Sequence, residues 1–212
     1  MTTTHILLIR HGETDWNRSG RWQGLAPIPL NEDGREQARR LAAYLAACEV
    51  MASAIYSSDL SRCRETAAII ASRLNKALHL DPRLREIDLG QWQGLTAEEI
   101  RFWDGTAHSY READRHHRPF PGGESPHELA VRACAALDHA RVNHAGGEIV
   151  IVTHGGVIRN IVRHLGLLAE PPPPANTSLW KLAYNDDGWQ LVYSNRIDHL
   201  APDAHLAKGG EG

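Results

Sequence analysis

Two short apolar runs, Ile6 to Ile9 and Ile149 to Val152, each lead within two residues into a histidine followed by glycine, at His11–Gly12 and His154–Gly155. An unbroken apolar run of this length is the pattern of a strand buried on both faces of a parallel sheet, so helices must cover the sheet on either side. Arg10, His11 and Gly12 then fall at a strand's carboxyl end, where open α/β sheets bind ligands. Glycine there lets the backbone turn sharply and come close to a ligand.

Between the two runs the chain alternates strand-like and helical segments, the grammar of an α/β fold with a mostly parallel sheet. Asn31 can cap a helix through about Cys48, with Ala38, Leu41, Ala42 and Leu45 on one face. Ala54 to Ser57 read as a strand, and Ser58 or Asp59 as the cap of a helix to about Leu74 that puts Arg62 in or near its first turn. Thr96 with Glu99 and Ser125 with Glu128 form capping-box patterns, the second with Pro126 at the first helical position. Val157 to Leu165 predict a helix that Gly166 ends, Pro171 to Pro174 an extended connector, and Ser178–Tyr184 with Trp189–Ser194 a hairpin. Phe102 to Phe120 is the least regular stretch, read either as a lid or binding loop or as a solvated excursion. Residues 1–200 are expected to form one domain, and residues 201–212 a disordered tail.

Composition narrows the function classes. A chain of 212 residues at 42% hydrophobic has room for a full core, and a net charge of -3 leaves no broad basic surface for nucleic acid or anionic membrane. The start of the chain lacks the pattern of a secretory leader and no apolar run reaches bilayer length, so a cytoplasmic protein is expected, with a homo-oligomer left open. Cys48, Cys63 and Cys134 are odd in number and widely spaced, which fits reduced thiols. Cys63 lies between Arg62 and Arg64, which could lower its pKa, although a packed helix thiol is the simpler reading. His116 and His117 are adjacent without a metal-ligand spacing, so neither metal nor cofactor is expected.

The remaining pieces suit phosphoryl transfer, which needs a nucleophile, positive donors around the equatorial oxygens and an acid for the leaving group. A neutral His11 can attack phosphorus, and Arg10 and Arg62 would disfavour its protonation while attracting phosphate. His154 stands to join the phosphate cradle, with the Gly155 amide at a helix start as a further donor. Glu86, between apolar residues in LREIDLGQWQGLT, is the candidate proton donor if partial burial raises its pKa, with Asp88 as rival.

Six blocks, LLIRHGETDWN, GRWQG with IPLNEDGREQA, SSDLSRCRETA, LREIDLGQWQGLT, FPGGES and VTHGGVIR, together resemble the histidine phosphatase superfamily, the phosphoglycerate mutase-like proteins. The resemblance implies a three-layer α/β/α sandwich with a small cap over the carboxyl edge of the sheet. It implies His11 as the phosphorylated nucleophile and Glu86 as proton donor. Arg10, Arg62 and His154 would form the phosphate pocket, with Asn17, Gln23 and Gly24 on the substrate side. Pro27 stands where many relatives carry an aspartate, which affects inferences about that loop's specificity but not the chemistry. The EIDLGQWQGLT form and the short chain resemble the phosphatase branch, acting on a small-molecule phosphate ester. The alternatives are a mutase and a binding module without turnover. The substrate is expected to be chosen by the Phe102 to Phe120 segment, where Arg111, Arg115 and Arg118 hint at an acidic ligand but each reads more simply as solvated charge.

Overall fold

The computed structural model describes residues 2–201, so the expected tail falls, beyond Ala201, outside the described residues. The two apolar runs become β1 (Thr4–Arg10) and β4 (Glu148–Thr153), neighbouring parallel strands in register from His5 opposite Glu148 to Arg10 opposite Thr153. β2 (Ala52–Ser57) pairs parallel with β4, and β3 (Leu78–Leu80) with β2. β5 (Leu179–Asn185) adds antiparallel to β1, and β6 (Gly188–Arg196) to β5, giving the order β3-β2-β4-β1-β5-β6. The expected hairpin is this last pair, with Asn185 opposite Gly188.

The unbroken apolar pattern of β1 follows from burial on both sides. Ile6 and Leu8 pack against Leu129, Ala133, Ile158 and Ile161, which belong to α6 (Pro126–Asn143) and α7 (Gly155–His164). Leu7 and Ile9 face Leu41, Leu45, Ala67 and Ile70 of α2 (Glu32–Ala47) and α3 (Ser61–Leu74). Each such fully buried side chain contributes about 1.5–3 kcal/mol. A polar residue at any of the four strand positions would lie in one of the two cores, so register and layering are fixed together.

The helix starts follow the sequence in most places. Asn31 accepts from the Gly34 amide at 2.8 Å, and both capping boxes close, opening α4 (Ala97–Trp103) and α6. One further box was not anticipated: Thr14 and Asn17 cap each other reciprocally and open the single turn α1 (Asp15–Arg18).

Two expectations are corrected. Neither Ser58 nor Asp59 caps α3, which starts after Leu60 without a side-chain cap. Ser58 instead turns inward to His154, and Asp59 pairs with Arg85 at 2.5 Å. The Phe102 to Phe120 stretch is not irregular through its first half: it completes α4 and forms α5 (Gly105–Glu112) before a run of turns. Long-range partners hold it there. The Trp92 indole donates to Asp104 at 2.8 Å and stacks on His108, and Trp22, Trp92, Ile100 and Phe120 share an apolar cluster.

Candidate active site

Strand register assembles the centre. Because Arg10 lies opposite Thr153 and Ser57 opposite Val152, the next residues, His11, His154 and Ser58, emerge together at the carboxyl ends of three adjacent strands. The turn after His11 is held tightly. A Cβ on Gly12 would lie 2.3 Å from the Gly34 carbonyl oxygen, and one on Gly34 would lie 2.1 Å from the Glu13 carbonyl oxygen, so two backbones cross where no side chain fits. Gly12 donates to Thr66 Oγ1 at 3.1 Å and Glu13 to Gln37 Oε1 at 2.9 Å, tying the turn to α3 and α2.

His11 is buried, and its Nδ1 lies 2.7 Å from the Gly12 carbonyl oxygen. A carbonyl only accepts, so Nδ1 carries the proton and a neutral ring leaves its lone pair on Nε2. Burial, then Arg62, then Arg10 hold its pKa well below 6.5, outweighing the bond to Gly12. The ring is therefore a neutral base at ordinary pH. His154 stands edge to face with it at 5.2 Å, fully buried behind it, with Nε2 at 3.0 Å from Ser58 Oγ and 3.3 Å from Cys63 Sγ. Burial, Arg62, His11 and Arg10 hold His154 below 6.5 as well.

Two cations flank this pair, and Glu86 is the carboxylate whose charge reaches both. Arg62 is fully buried, its guanidinium donating to the carbonyls of Ala26 at 2.9 Å and Gly24 at 2.8 Å while Nε has no partner. Arg10 donates to the Pro174 carbonyl at 2.7 Å, and its Nε is likewise buried and unpartnered. Among the described residues neither arginine forms a salt bridge. Burying unpaired charge is costly, so the arrangement is built for an anion supplied from outside. Cys63 is the packed thiol of the simpler reading: burial pushes its pKa up, outweighing Arg62.

Glu86 reaches the same place from the loop after the Pro82–Leu84 turn. Its Oε1 accepts from the Ile87 amide at 2.9 Å and its Oε2 from the Gly156 amide at 3.1 Å. A Cβ on residue 156 would lie 2.4 Å from Oε1, which explains the second glycine of HGG. Arg132 of α6 braces this loop from behind, donating to the carbonyls of Arg83, Arg85 and Glu86 and pairing with Glu124 at 2.7 Å.

Arg10, His11, Asn17, Gln23, Gly24, Arg62, Glu86 and Gly155 all line one cavity of about 520 Å³, and His154 sits just behind its wall. Asn17 Oδ1 is held by the Thr14 amide and Asn176, and the buried Gln23 Oε1 is without a partner. Asp88, the rival to Glu86, instead accepts from the Gly90 amide outside this cavity.

The model of the histidine phosphatase superfamily (branch 1) matches residues 6–197. The chain belongs to that family. Among curated relatives it is 37% identical to "Phosphoglycerate mutase-like protein 4" of Arabidopsis thaliana, over 96% of this chain and 90% of that one. It is 35% identical to the "Metal-independent phosphoserine phosphatase" of the same plant, over 99% of this chain and 88% of that one. Among solved structures, a phosphoserine phosphatase variant from Entamoeba histolytica in complex with phosphoserine superposes with a TM-score of 0.81 at 30% identity, covering 93% of this chain and 99% of that one.

This histidine phosphatase also carries cavity residues that the motifs did not single out. Arg21, Trp22, Arg159, Asn160 and Arg163 line the cavity, as do Arg111 and Arg115 from the segment first read as irregular. Arg111 corrects its reading as solvated charge: it is 8% exposed and lies 3.8 Å over the Phe120 ring. Helical spacing puts Arg159 and Arg163 one and two turns beyond the HGG turn on one face of α7, a signal that marks a shared face but not a cavity wall.

Three buried histidines also set an acid limit on the fold. Burial holds His11 and His154 below 6.5 and brings His199, bonded to Thr177 Oγ1 at 2.9 Å, down to about 4. As pH falls through 6.5 the unfolded chain takes up protons that the folded one refuses. The stability they confer is therefore full above 6.5 and drains as pH falls toward each folded value, by about 1.4 kcal/mol per pH unit per histidine. Urea midpoints measured between pH 7 and 4 should fall steeply, and His199→Asn should flatten that slope. A level profile would refute neutral burial.

Proposed function

We propose that this histidine phosphatase is a phosphomonoester hydrolase that works through a phosphohistidine on His11, on small phosphorylated metabolites. The observation that carries this reading is a neutral His11 with its free Nε2 beside a buried Arg62 and a part-buried Arg10, neither of which forms a salt bridge among the described residues. The kinship with a phosphoserine phosphatase supports it.

In this reading Nε2 attacks phosphorus as the ester P–O bond breaks. Arg10 and Arg62 hold the equatorial oxygens through the donors they leave free, with Asn17, Gln23, the loop at Gly24 and the Gly155 amide around them, and His154 packs against the nucleophile. Glu86 gives a proton to the leaving oxygen and then takes one from the water that attacks the phosphohistidine as its P–N bond breaks. The charge that a metal supplies in many phosphoryl transfers is carried by the two arginines.

Equal yields of 4-nitrophenol and inorganic phosphate from 4-nitrophenyl phosphate, with glycerol present, are the expected result. Nitrophenol in excess would mean transfer to a second hydroxyl, the mutase-like outcome. No release at all would leave a binding module. Glu86→Gln should slow alkyl phosphates about 10²- to 10⁴-fold but aryl phosphates much less, because only the poor leaving group needs the proton. A uniform loss across leaving groups would reassign Glu86 to binding.

A further inference from the structure

Beyond the phosphate seat, the cavity has a second cationic wall with little to neutralise it. Arg159 and Arg163 stand on α7, which places them about 5 and 11 Å along the helix axis from Gly156 by its rise per residue. Arg111 and Arg115 face them from α5 and the turn after it. Arg159 uses only its Nε, on the Pro171 carbonyl at 3.1 Å, while Arg163 is aimed by Asn160 Oδ1 at 3.0 Å and the Ala169 carbonyl at 3.2 Å. Arg111 is buried, gives one guanidinium nitrogen to the Arg115 carbonyl at 3.1 Å, and keeps a buried Nε with no partner. The neighbouring His116 is held below 6.5 by burial and by Arg163 and Arg115.

The carboxylates that meet this group are exposed ones. Glu112 lies 3.6 Å from Arg111, and Glu170 bridges the two sides, 2.8 Å from Arg115 and 3.5 Å from Arg163. Glu170 sits on the loop that Arg159 and Arg163 pin through its Ala169 and Pro171 carbonyls. It is thus an internal anion held on two of the guanidinium groups that an incoming oxyanion would need.

We propose that Arg159, Arg163 and Arg115 form a second anion subsite, that the substrate is a phosphate monoester bearing a further oxyanion, and that Glu170 competes with that oxyanion for the arginines. This deepens the hydrolase reading and rests on it for the word substrate. A guanidinium fork receives carboxylate and phosphate alike, so the shared chemistry is an oxyanion one to two helical turns from the reacting phosphorus.

Three open-chain six-carbon phosphate esters separate the outcomes: glucitol 6-phosphate, with no second anion, 6-phosphogluconate, with a carboxylate, and glucitol 1,6-bisphosphate. The wild-type protein should prefer at least one ester with the second oxyanion in kcat/KM over glucitol 6-phosphate, and the preferred one identifies the oxyanion. Arg159→Met and Arg163→Met should each cut that preference about 10- to 100-fold, the size of a charge-assisted hydrogen bond. Glu170→Gln should move it the other way, about two- to fivefold and through KM, since it removes only exposed pairs. Thermal unfolding of each variant checks folding.

A preference that does not change in any of the three variants, with turnover intact, overturns the subsite and leaves the hydrolase standing. If no ester is cleaved, calorimetric binding of 6-phosphogluconate and the bisphosphate replaces kinetics. Affinity lost in Arg159→Met and gained in Glu170→Gln then supports the subsite while the hydrolase reading fails; equal affinity in all variants overturns both. A loss of preference in Glu170→Gln would mean that Glu170 builds the site and would overturn the competition.

Discussion

His11→Ala is expected to abolish both turnover and covalent labelling. With a ³²P-labelled ester and a rapid alkaline quench, the wild-type protein should retain label that survives alkali and is lost in acid, as expected of a phosphoramidate. The variant should retain none. Nucleophilic catalysis splits one displacement into two, and phosphate monoester hydrolysis is so slow unaided that accelerations approach ~10²¹ in extreme cases, so removal of the nucleophile leaves no measurable rate. The substitution is a fair test because the fixed parts remain. The Gly12 carbonyl that orients the ring belongs to the backbone, and the crossing with Gly34 does not involve the side chain. Persistent alkali-stable label in His11→Ala would move the nucleophile elsewhere, His154 first.

Arg62→Ala should lower kcat/KM by at least 10² to 10³, the usual cost of one preorganised donor, and weaken inhibition by inorganic phosphate in parallel. The loss should exceed that of a simple charge deletion, because Arg62 also anchors the carbonyls of Gly24 and Ala26, and with them the loop that presents Gln23. Arg62→Lys should recover little, since a compact ammonium lacks the planar fork that spans two carbonyls and a phosphate oxygen at once. Arg64, exposed on the same helix, is the control, and Arg64→Ala should behave as wild type. Comparable losses in the two alanine variants would remove Arg62 from the anion pocket.

What the sequence revealed depends on whether a residue's partner is local. The buried strands show as apolar runs because two cores constrain them at every position. Asn31, Thr96 and Ser125 were readable as caps because their acceptors meet amides three residues away. Ser58 and Asp59 looked the same, but their partners, His154 and Arg85, are 96 and 26 residues distant, and these won. The helix α5 was hidden for a like reason: its anchors, Trp92 and Phe120, come from outside it. The motif residues His11, Arg10, Arg62, Glu86 and Gly155 all line one cavity, whereas the spacing of Arg159 and Arg163 does not separate a cavity wall from a solvated helix face.

The crossing of Gly12 over Gly34 ties the reaction centre to helix assembly. The start of α2 and the His11 turn share the same backbone contact, so a shift of the helix moves the nucleophile with it. Directed evolution of this scaffold would therefore find substitutions along α2 silenced in activity long before the protein melts. Screens for thermostability alone would miss that loss, and the useful freedom for redesign lies on the opposite wall, in α5 and α7.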